Sequence, residues 1–369
     1  MGRGCYAPAV SGPAQSIPGD NFGFDREVMD FAALDAWMDE CGLTPGRIDR
    51  AESLAGGTQN VMIKFARGGR EFVIRRGPRH LRPISNDVMQ REARVLQALA
   101  GTDVPHPAFI AGGGPDDLMG DAVFYLMEPV DGFNPTVGLP EPHRSDAGMR
   151  HEMGLQIADG IAALGRVDYV ARGLGGIGKP EGFLPRQVPR WLSELESYSR
   201  FEGYPGPDIP GVEAVAAWLE DNRPPDGPPG ILHGDYHFAN VMYAHDSARL
   251  AAIVDWEMCT IGDPLLDVGW LVATWPGNNQ QTLGPVGTLA AAGGLPKTDE
   301  VIARYAEGST RDLSAIGWYT VLACFKLGIV LEGTNARAAA GKAPRQTGDL
   351  LHAMTLDLFR RAQALITES

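Results

Sequence analysis

Long uncharged hydrophobic runs are missing from this 369-residue chain. The longest apolar stretch, Trp318 to Leu331, is interrupted by Lys326 and is too short to span a bilayer, so no membrane partner is expected. Residues 1–22 hold Gly, Pro and Ser but no apolar h-region, which excludes a signal peptide reading. Tyr6 stands where a myristoylation sequence wants Ser or Thr. Cysteine is scarce: Cys5, Cys41, Cys259 and Cys324 are scattered, with no C-x-x-C pair and no zinc spacing. They read as free thiols in a reducing, cytoplasmic compartment. Basic blocks are absent too, and a formal net charge of −14 argues against a nucleic-acid partner. No G-x-S-x-G nucleophile elbow is present, which counts against a hydrolase.

What remains is a globular chain with ample core, 44% hydrophobic and 21% charged, long enough for two domains or one domain in two lobes. Residues 1–22 read as a flexible leader, 23–130 as a small N-terminal lobe with a preceding helix, and 131–369 as a larger C-terminal lobe. From Asp25 to Cys41 the apolar positions Val28, Phe31, Leu34, Met38 and Cys41 make a helical stripe ended by Gly42. The period then changes. Val61, Ile63 and Phe65 alternate, Arg67-Gly68-Gly69-Arg70 forms a turn, and Glu71 to Arg76 continues as a second strand. A helix follows from Ser85, a candidate N-cap, to Leu99, and a strand from Ala122 to Val130. Beyond a hinge near Met127–Gly132, helical patterns cover roughly 147–165, 186–200, 211–222, 264–275, 298–308, 312–336 and 346–367.

One block interrupts those helices. Residues 233–240 read His-Gly-Asp-Tyr-His-Phe-Ala-Asn, and Asp255 follows Asn240 by fifteen residues at the end of the apolar Ile253-Val254. An H-x-D-x-x-x-x-N loop followed by a second Asp is how kinase-type phosphotransferases assemble a base and a metal site. Asp235 is the candidate base, accepting the proton of an attacking hydroxyl. Asn240 and Asp255 are the candidate Mg²⁺ ligands, because that ion prefers carboxylate, amide and water oxygens.

H-G-D-Y-H-F-A-N with I-V-D-W-E-x-x-x-x-G-D-P-x-x-D resembles the aminoglycoside phosphotransferase and choline kinase-like family, in particular the branch that occurs as kinase domains associated with acyl-CoA dehydrogenases. The resemblance runs from about Ala51 to the C-terminus. It implies an α+β, two-lobed protein-kinase-like fold with the active site between lobes. It also implies ATP and Mg²⁺ as cofactors and a small-molecule hydroxyl as acceptor. His233 is then a loop organiser rather than the base, and His237 a residue in reach of substrate or phosphate. Asp263 would cap the next helix, and Asp267 would brace the loop through backbone N–H groups.

The small lobe carries one anomaly. Glu92 falls on the same helical stripe as Val88, Val95, Leu96 and Leu99, and an inward carboxylate needs a cationic partner. Arg75 is the expected partner and phosphate-binding cation, with Arg76 and Lys64 as alternatives. Family members commonly place Lys there, and Arg keeps the charge while changing the geometry. Gly56, Gly57 and Thr58 form the candidate phosphate-covering loop, where glycine lets backbone N–H groups approach oxygen closely. Met127, Glu128 and Val130 are the candidate adenine contacts, through the Glu128 carbonyl and the Val130 amide with Met127 behind the base. The acceptor is expected to be neutral or anionic, a hydroxyacyl-CoA or similar acid, because Leu331–Ser369 is slightly basic where a polyamine would want carboxylates. A nucleotide-binding pseudokinase acting as a binding module is the alternative, and intact Asp235, Asn240 and Asp255 count against it.

Overall fold

The computed structural model describes residues 21–54, 60–114, 117–118, 121–276 and 287–368. They form two compact units. One takes in the described residues up to Thr102 together with His106–Asp131 and Asp255–Glu257. The other comprises Asp103–Pro105, Gly132–Val254 and Met258 onward.

The smaller unit is built from α1 (Phe31–Glu40), β1 (Ile48–Ser53), β2 (Val61–Arg67), β3 (Arg70–Arg76), α2 (Ser85–Leu99), β4 (Phe109–Gly113) and β5 (Phe124–Met127). Its five strands run in the order β1-β2-β3-β5-β4, with each neighbouring pair antiparallel. Gly68 and Gly69 both have positive φ, as the tight turn of the β2–β3 hairpin requires. Alternation then sorts the side chains. Phe65, Phe72, Ile74, Phe124 and Leu126 form one core with Phe31, Leu34, Trp37 and Met38 of α1. Within it Trp37 meets Phe124 edge-on at 4.9 Å, and Phe65 stacks on Phe72 at 5.3 Å. Each such buried side chain contributes about 1.5–3 kcal/mol. By register, Val73 pairs with Met127 and Arg75 with Tyr125, so these four share the opposite face.

Several boundaries differ from expectation. Helix α1 begins at Phe31, because the Asp30 carboxylate caps it by accepting from the amides of Ala32 and Ala33; Asp25–Val28 is only a turn. Ser85 is the first helical residue rather than the cap, and its hydroxyl accepts from the Arg82 amide instead. Met89 takes the buried place expected of Val88. The free-thiol reading holds for Cys259 and Cys324, both buried, but Cys41 is disulfide-bonded. Spacing in the chain does not report which sulfurs meet in space.

The larger unit contains α3 (Ala147–Gly165), α4 (Gln187–Ser197), α5 (Val212–Asp221), β6 (Gly230–Leu232), β7 (Val241–Tyr243), β8 (Leu250–Ile253), β9 (Thr260–Gly262), α6 (Leu265–Ala273), α7 (Gly287–Ala292), α8 (Thr298–Glu307), α9 (Ile316–Ala339) and α10 (Arg345–Glu368). Two short antiparallel pairs, β6–β9 and β7–β8, are set among the helices. Helix α9 is long and apolar enough to cross a membrane by length and composition, yet it is mostly buried within this unit, packed against α6 and α10. It buries two charged residues, Lys326 and Glu332. The Glu332 carboxylate is satisfied by the Tyr204 hydroxyl at 2.7 Å, the Asn335 amide at 2.9 Å and His352 Nδ1 at 2.7 Å.

Candidate active site

In the smaller unit the chemistry gathers around Arg75. Its Nη2 donates to Glu92 Oε1 at 3.1 Å and to Asp255 Oδ1 at 2.9 Å. Its Nε lies 2.9 Å from Glu92 Oε2 but off the hydrogen-bond direction, so that contact is electrostatic. The Tyr125 hydroxyl donates to the same Oε2 at 2.9 Å. Among the three cations, Arg75 is thereby the partner of Glu92. Arg76 donates instead to the carbonyls of Gly77 and Val28, and Lys64 pairs with Glu71.

Burial pushes the Glu92 carboxyl up to about 7 against the pull of Arg75 and Tyr125, and the Asp255 charge adds to the rise. The Arg75 guanidinium is raised as well: burial works against its charge, but Glu92, Tyr125 and Asp255 more than compensate. One guanidinium shared by two carboxylates leaves the fully enclosed one, Glu92, the easier to protonate. Asp255 is more open, with its side chain 38% exposed. Its φ of 66° is left-handed, a conformation that non-glycine residues hold only where the surroundings impose it. Carboxylate oxygens of Glu92, Asp255 and Glu257 lie within 4.8 Å of one another, so Asp255 and Glu257 present hard oxygens of the kind a divalent cation takes. Met127 ends β5 opposite Val73. The Glu128 amide donates to Ala108 O at 2.9 Å, its side chain pairs with Arg70, and Val130 follows half-buried. Gly56, Gly57 and Thr58 lie outside the described residues.

In the larger unit the loop after β6 places Asp235. Gly234 precedes it with φ of 87°, and a Cβ there would stand 2.5 Å from the Met258 carbonyl oxygen, so only glycine fits. The buried Asp267 carboxylate accepts from the amides of His233 at 2.6 Å and Gly234 at 2.9 Å, which is the brace expected of it. Asp263 accepts from the Leu265 amide at the start of α6 and from the Tyr319 hydroxyl. His233 is an organiser: Nδ1 accepts from the Asp235 amide and Nε2 contacts the Val254 carbonyl at 2.9 Å.

Three side chains then surround the Asp235 carboxylate. Trp270 Nε1 donates to Oδ1 at 3.1 Å, and His237 Nε2 lies 3.1 Å from the same oxygen. Asn240 Nδ2 donates to Oδ2 and to the backbone carbonyl of Asp235, both at 2.9 Å. Both neighbours are acceptors, which fixes the amide orientation and leaves Asn240 Oδ1 for another partner. Burial would raise the Asp235 carboxyl, but His237, then His233 and Lys326, hold it well below the usual carboxylate range. The group is an oriented, ionised carboxylate.

Trp270 and Lys326 did not figure among the expected site residues, and His237 was expected at substrate or phosphate rather than on Asp235. An indole inside an apolar helix looks like core. A lysine inside an apolar run did carry a signal, because a buried ammonium needs acceptors nearby.

Comparison with known proteins bears on the family and the fold. The chain is 28% identical over 305 residues to acyl-CoA dehydrogenase family member 11 of Gallus gallus, covering 79% of this chain but only 37% of that protein's length. A crystal structure from Ralstonia eutropha, assigned as an aminoglycoside phosphotransferase, superposes with a TM-score of 0.74 at 28% identity, covering 91% of this chain and 98% of the other. A thermostable mutant of aminoglycoside phosphotransferase APH(4)-Ia, solved with ADP and hygromycin B, shares the fold at a TM-score of 0.55 and 15% identity, over 88% and 96% of the two chains. The two solved structures share the α+β kinase-like fold of this chain. Residues 50–312 match the model of the phosphotransferase enzyme family, and to that family this chain belongs.

Proposed function

We propose that this enzyme transfers the γ-phosphoryl group of ATP to a hydroxyl of a small molecule, with Asp235 accepting the hydroxyl proton. The observation that carries the reading is the Asp235 carboxylate, ionised and held by directed donors from the loop and from α6. A carboxylate so acidic is a weak base. In phosphoryl transfer through a loose transition state that matters little, because alignment of the attacking oxygen does more than proton affinity.

Asn240 and Asp255 would hold Mg²⁺. Asn240 Oδ1 and the carboxylate of Asp255 would supply the amide and carboxylate oxygens that this ion prefers. When bound, the ion neutralises charge on the nucleotide phosphates. Arg75, which already shares its charge between Glu92 and Asp255, would turn toward a phosphate entering beside it. Gly56, Gly57 and Thr58 would cover the phosphates, and Met127, Glu128 and Val130 would receive the adenine.

For the acceptor we favour a neutral or anionic hydroxyl compound, a hydroxyacyl-CoA or similar acid. The slightly basic Leu331–Ser369 stretch and the relatives named as acyl-CoA dehydrogenase family members support this choice. A metabolite screen for ATP consumption, including hydroxyacyl-CoAs, choline and aminoglycosides, tests it. Turnover of a kanamycin-type substrate at kcat/KM of about 10⁴ M⁻¹s⁻¹ or above, the lower end for true enzyme–substrate pairs, would refute the acceptor reading.

A further inference from the structure

Asp235 is gripped unevenly. Each carboxylate oxygen offers two lone pairs. Oδ1 faces Trp270 Nε1 and His237 Nε2, both at 3.1 Å. His237 Nδ1 accepts from the Ala239 amide at the start of a 3-10 turn, which leaves Nε2 to carry the proton toward Asp235. Oδ1 is therefore the crowded oxygen, with one hydrogen bond and a second nitrogen beside it. Oδ2 receives Asn240 Nδ2 and keeps one lone pair.

Behind the indole stands Lys326, buried on α9. Its ammonium lies 4.5 Å from the Trp270 ring centroid and 5.5 Å from that of Trp191 on α4. It donates to the Gly234 carbonyl at 3.0 Å, one residue before Asp235. The charged groups facing it are Asp235 on the loop, Asp267 on α6 and Arg190 on α4. A cation held between two indole faces fixes the plane of the nearer one, and that plane sets where the Trp270 N–H points.

Resting on the phosphotransferase reading above, we propose that Trp270 and Lys326 are positioning residues that orient Asp235 so that its Oδ2, and not Oδ1, takes the acceptor proton. Lys326 holds the loop backbone and the indole together; Trp270 and His237 occupy Oδ1; the acceptor hydroxyl docks on the remaining lone pair of Oδ2. Burial lowers the Lys326 ammonium to about 8, so this clamp releases within an accessible pH range.

The test uses the whole chain and MgATP, with ADP release read against water as acceptor, in parallel with the indole ¹⁵N–¹H resonance of Trp270. Trp270→Phe keeps an aromatic face for Lys326 and removes the N–H along with part of the ring, so the indole-independent readouts of Lys326→Met and Lys326→Arg are measured beside it. It is expected to lower kcat about tenfold or more, a loss of alignment rather than of binding, with the nucleotide KM within about twofold of wild type. Lys326→Met should do the same. Lys326→Arg, which stays charged, should recover most of the rate and abolish the wild-type alkaline limb near pH 8. In the spectrum, Asp235→Asn and Lys326→Met should each move the Trp270 indole resonance, and Lys326→Arg should return it. Wild-type kcat in Trp270→Phe, or an indole resonance indifferent to Asp235→Asn, would overturn the proposal. If wild type releases no ADP, the phosphotransferase reading fails by itself, and the indole resonance alone decides the positioning.

Discussion

The guanidinium of Arg75 meets the carboxylate of Glu92 at 2.9–3.1 Å, a contact between β3 and α2 almost wholly sealed from solvent. Removing either partner has a different result. Arg75→Ala strands a buried carboxylate with only Tyr125 to hold it and is expected to cost about 3–5 kcal/mol. Glu92→Gln leaves Arg75 paired with Asp255 and is expected to cost about 1–3 kcal/mol. Urea unfolding at pH 7.5 checks the order. The Arg75→Ala loss should shrink at pH 5.5, because Glu92, already raised in the folded state, then protonates and its burial penalty goes. A larger loss for Glu92→Gln would contradict the assignment of the pair.

Asp235→Asn is expected to lower phosphoryl transfer by roughly 10²–10⁴-fold, the usual effect of removing a general base. Nucleotide affinity should stay near wild type, since Asp235 bonds to loop and α6 groups. Calorimetry with ATP should show tighter binding with Mg²⁺ than with EDTA in both proteins. Equal affinity in the two buffers would remove Asn240 and Asp255 from the metal role.

Asp267→Asn replaces one acceptor oxygen by a donor facing the His233 or Gly234 amide. The expected loss is about 2–4 kcal/mol, the combined cost of a charge-assisted hydrogen bond and an unsatisfied buried N–H. Amide exchange at His233 and Gly234 should accelerate more than exchange in α9. Unchanged protection at those two amides would mean that the brace is not structural.

Lys326 predicts a pH dependence of stability. Its folded value is about 8 against an ordinary 10.5, so between these the unfolded chain binds more protons and wild-type stability rises with pH. The gain is at most about 3 kcal/mol. Lys326→Met lacks the group, so the wild-type minus variant difference should climb from pH 8 to pH 10 in urea titrations. A flat difference would show that burial does not depress Lys326.

Except for the short α7, the large-unit helices were legible from their helical patterns: α3 was expected at 147–165 and runs Ala147–Gly165. Strands β1 and β4 were not. Ile48–Ser53 is an edge strand with polar residues on both faces, and Phe109–Gly113 ends in glycines, so neither alternates enough to stand out. The pair Arg75–Glu92 was legible for an energetic reason, since an inward carboxylate demands a cation wherever the chain goes. Trp270 on Asp235 was not, because thirty-five residues separate two groups whose meeting depends on how α6 leaves β9. Lys326 stood out in the sequence only as a break in an apolar run, and its partners came from α4, α6 and the loop.

The left-handed backbone of Asp255 sets a condition on how that position is to be probed. Alanine there would change two things at once, removing a carboxylate and losing the short polar side chain that eases left-handed backbone, which otherwise costs about 1–2 kcal/mol. Loss of activity in Asp255→Ala would thus mix chemistry with a loop that has relaxed elsewhere. Asparagine visits the same region of backbone space with little strain, so Asp255→Asn removes the charge and leaves the loop in place. Comparing the two variants divides the role of this residue into a shape and a charge.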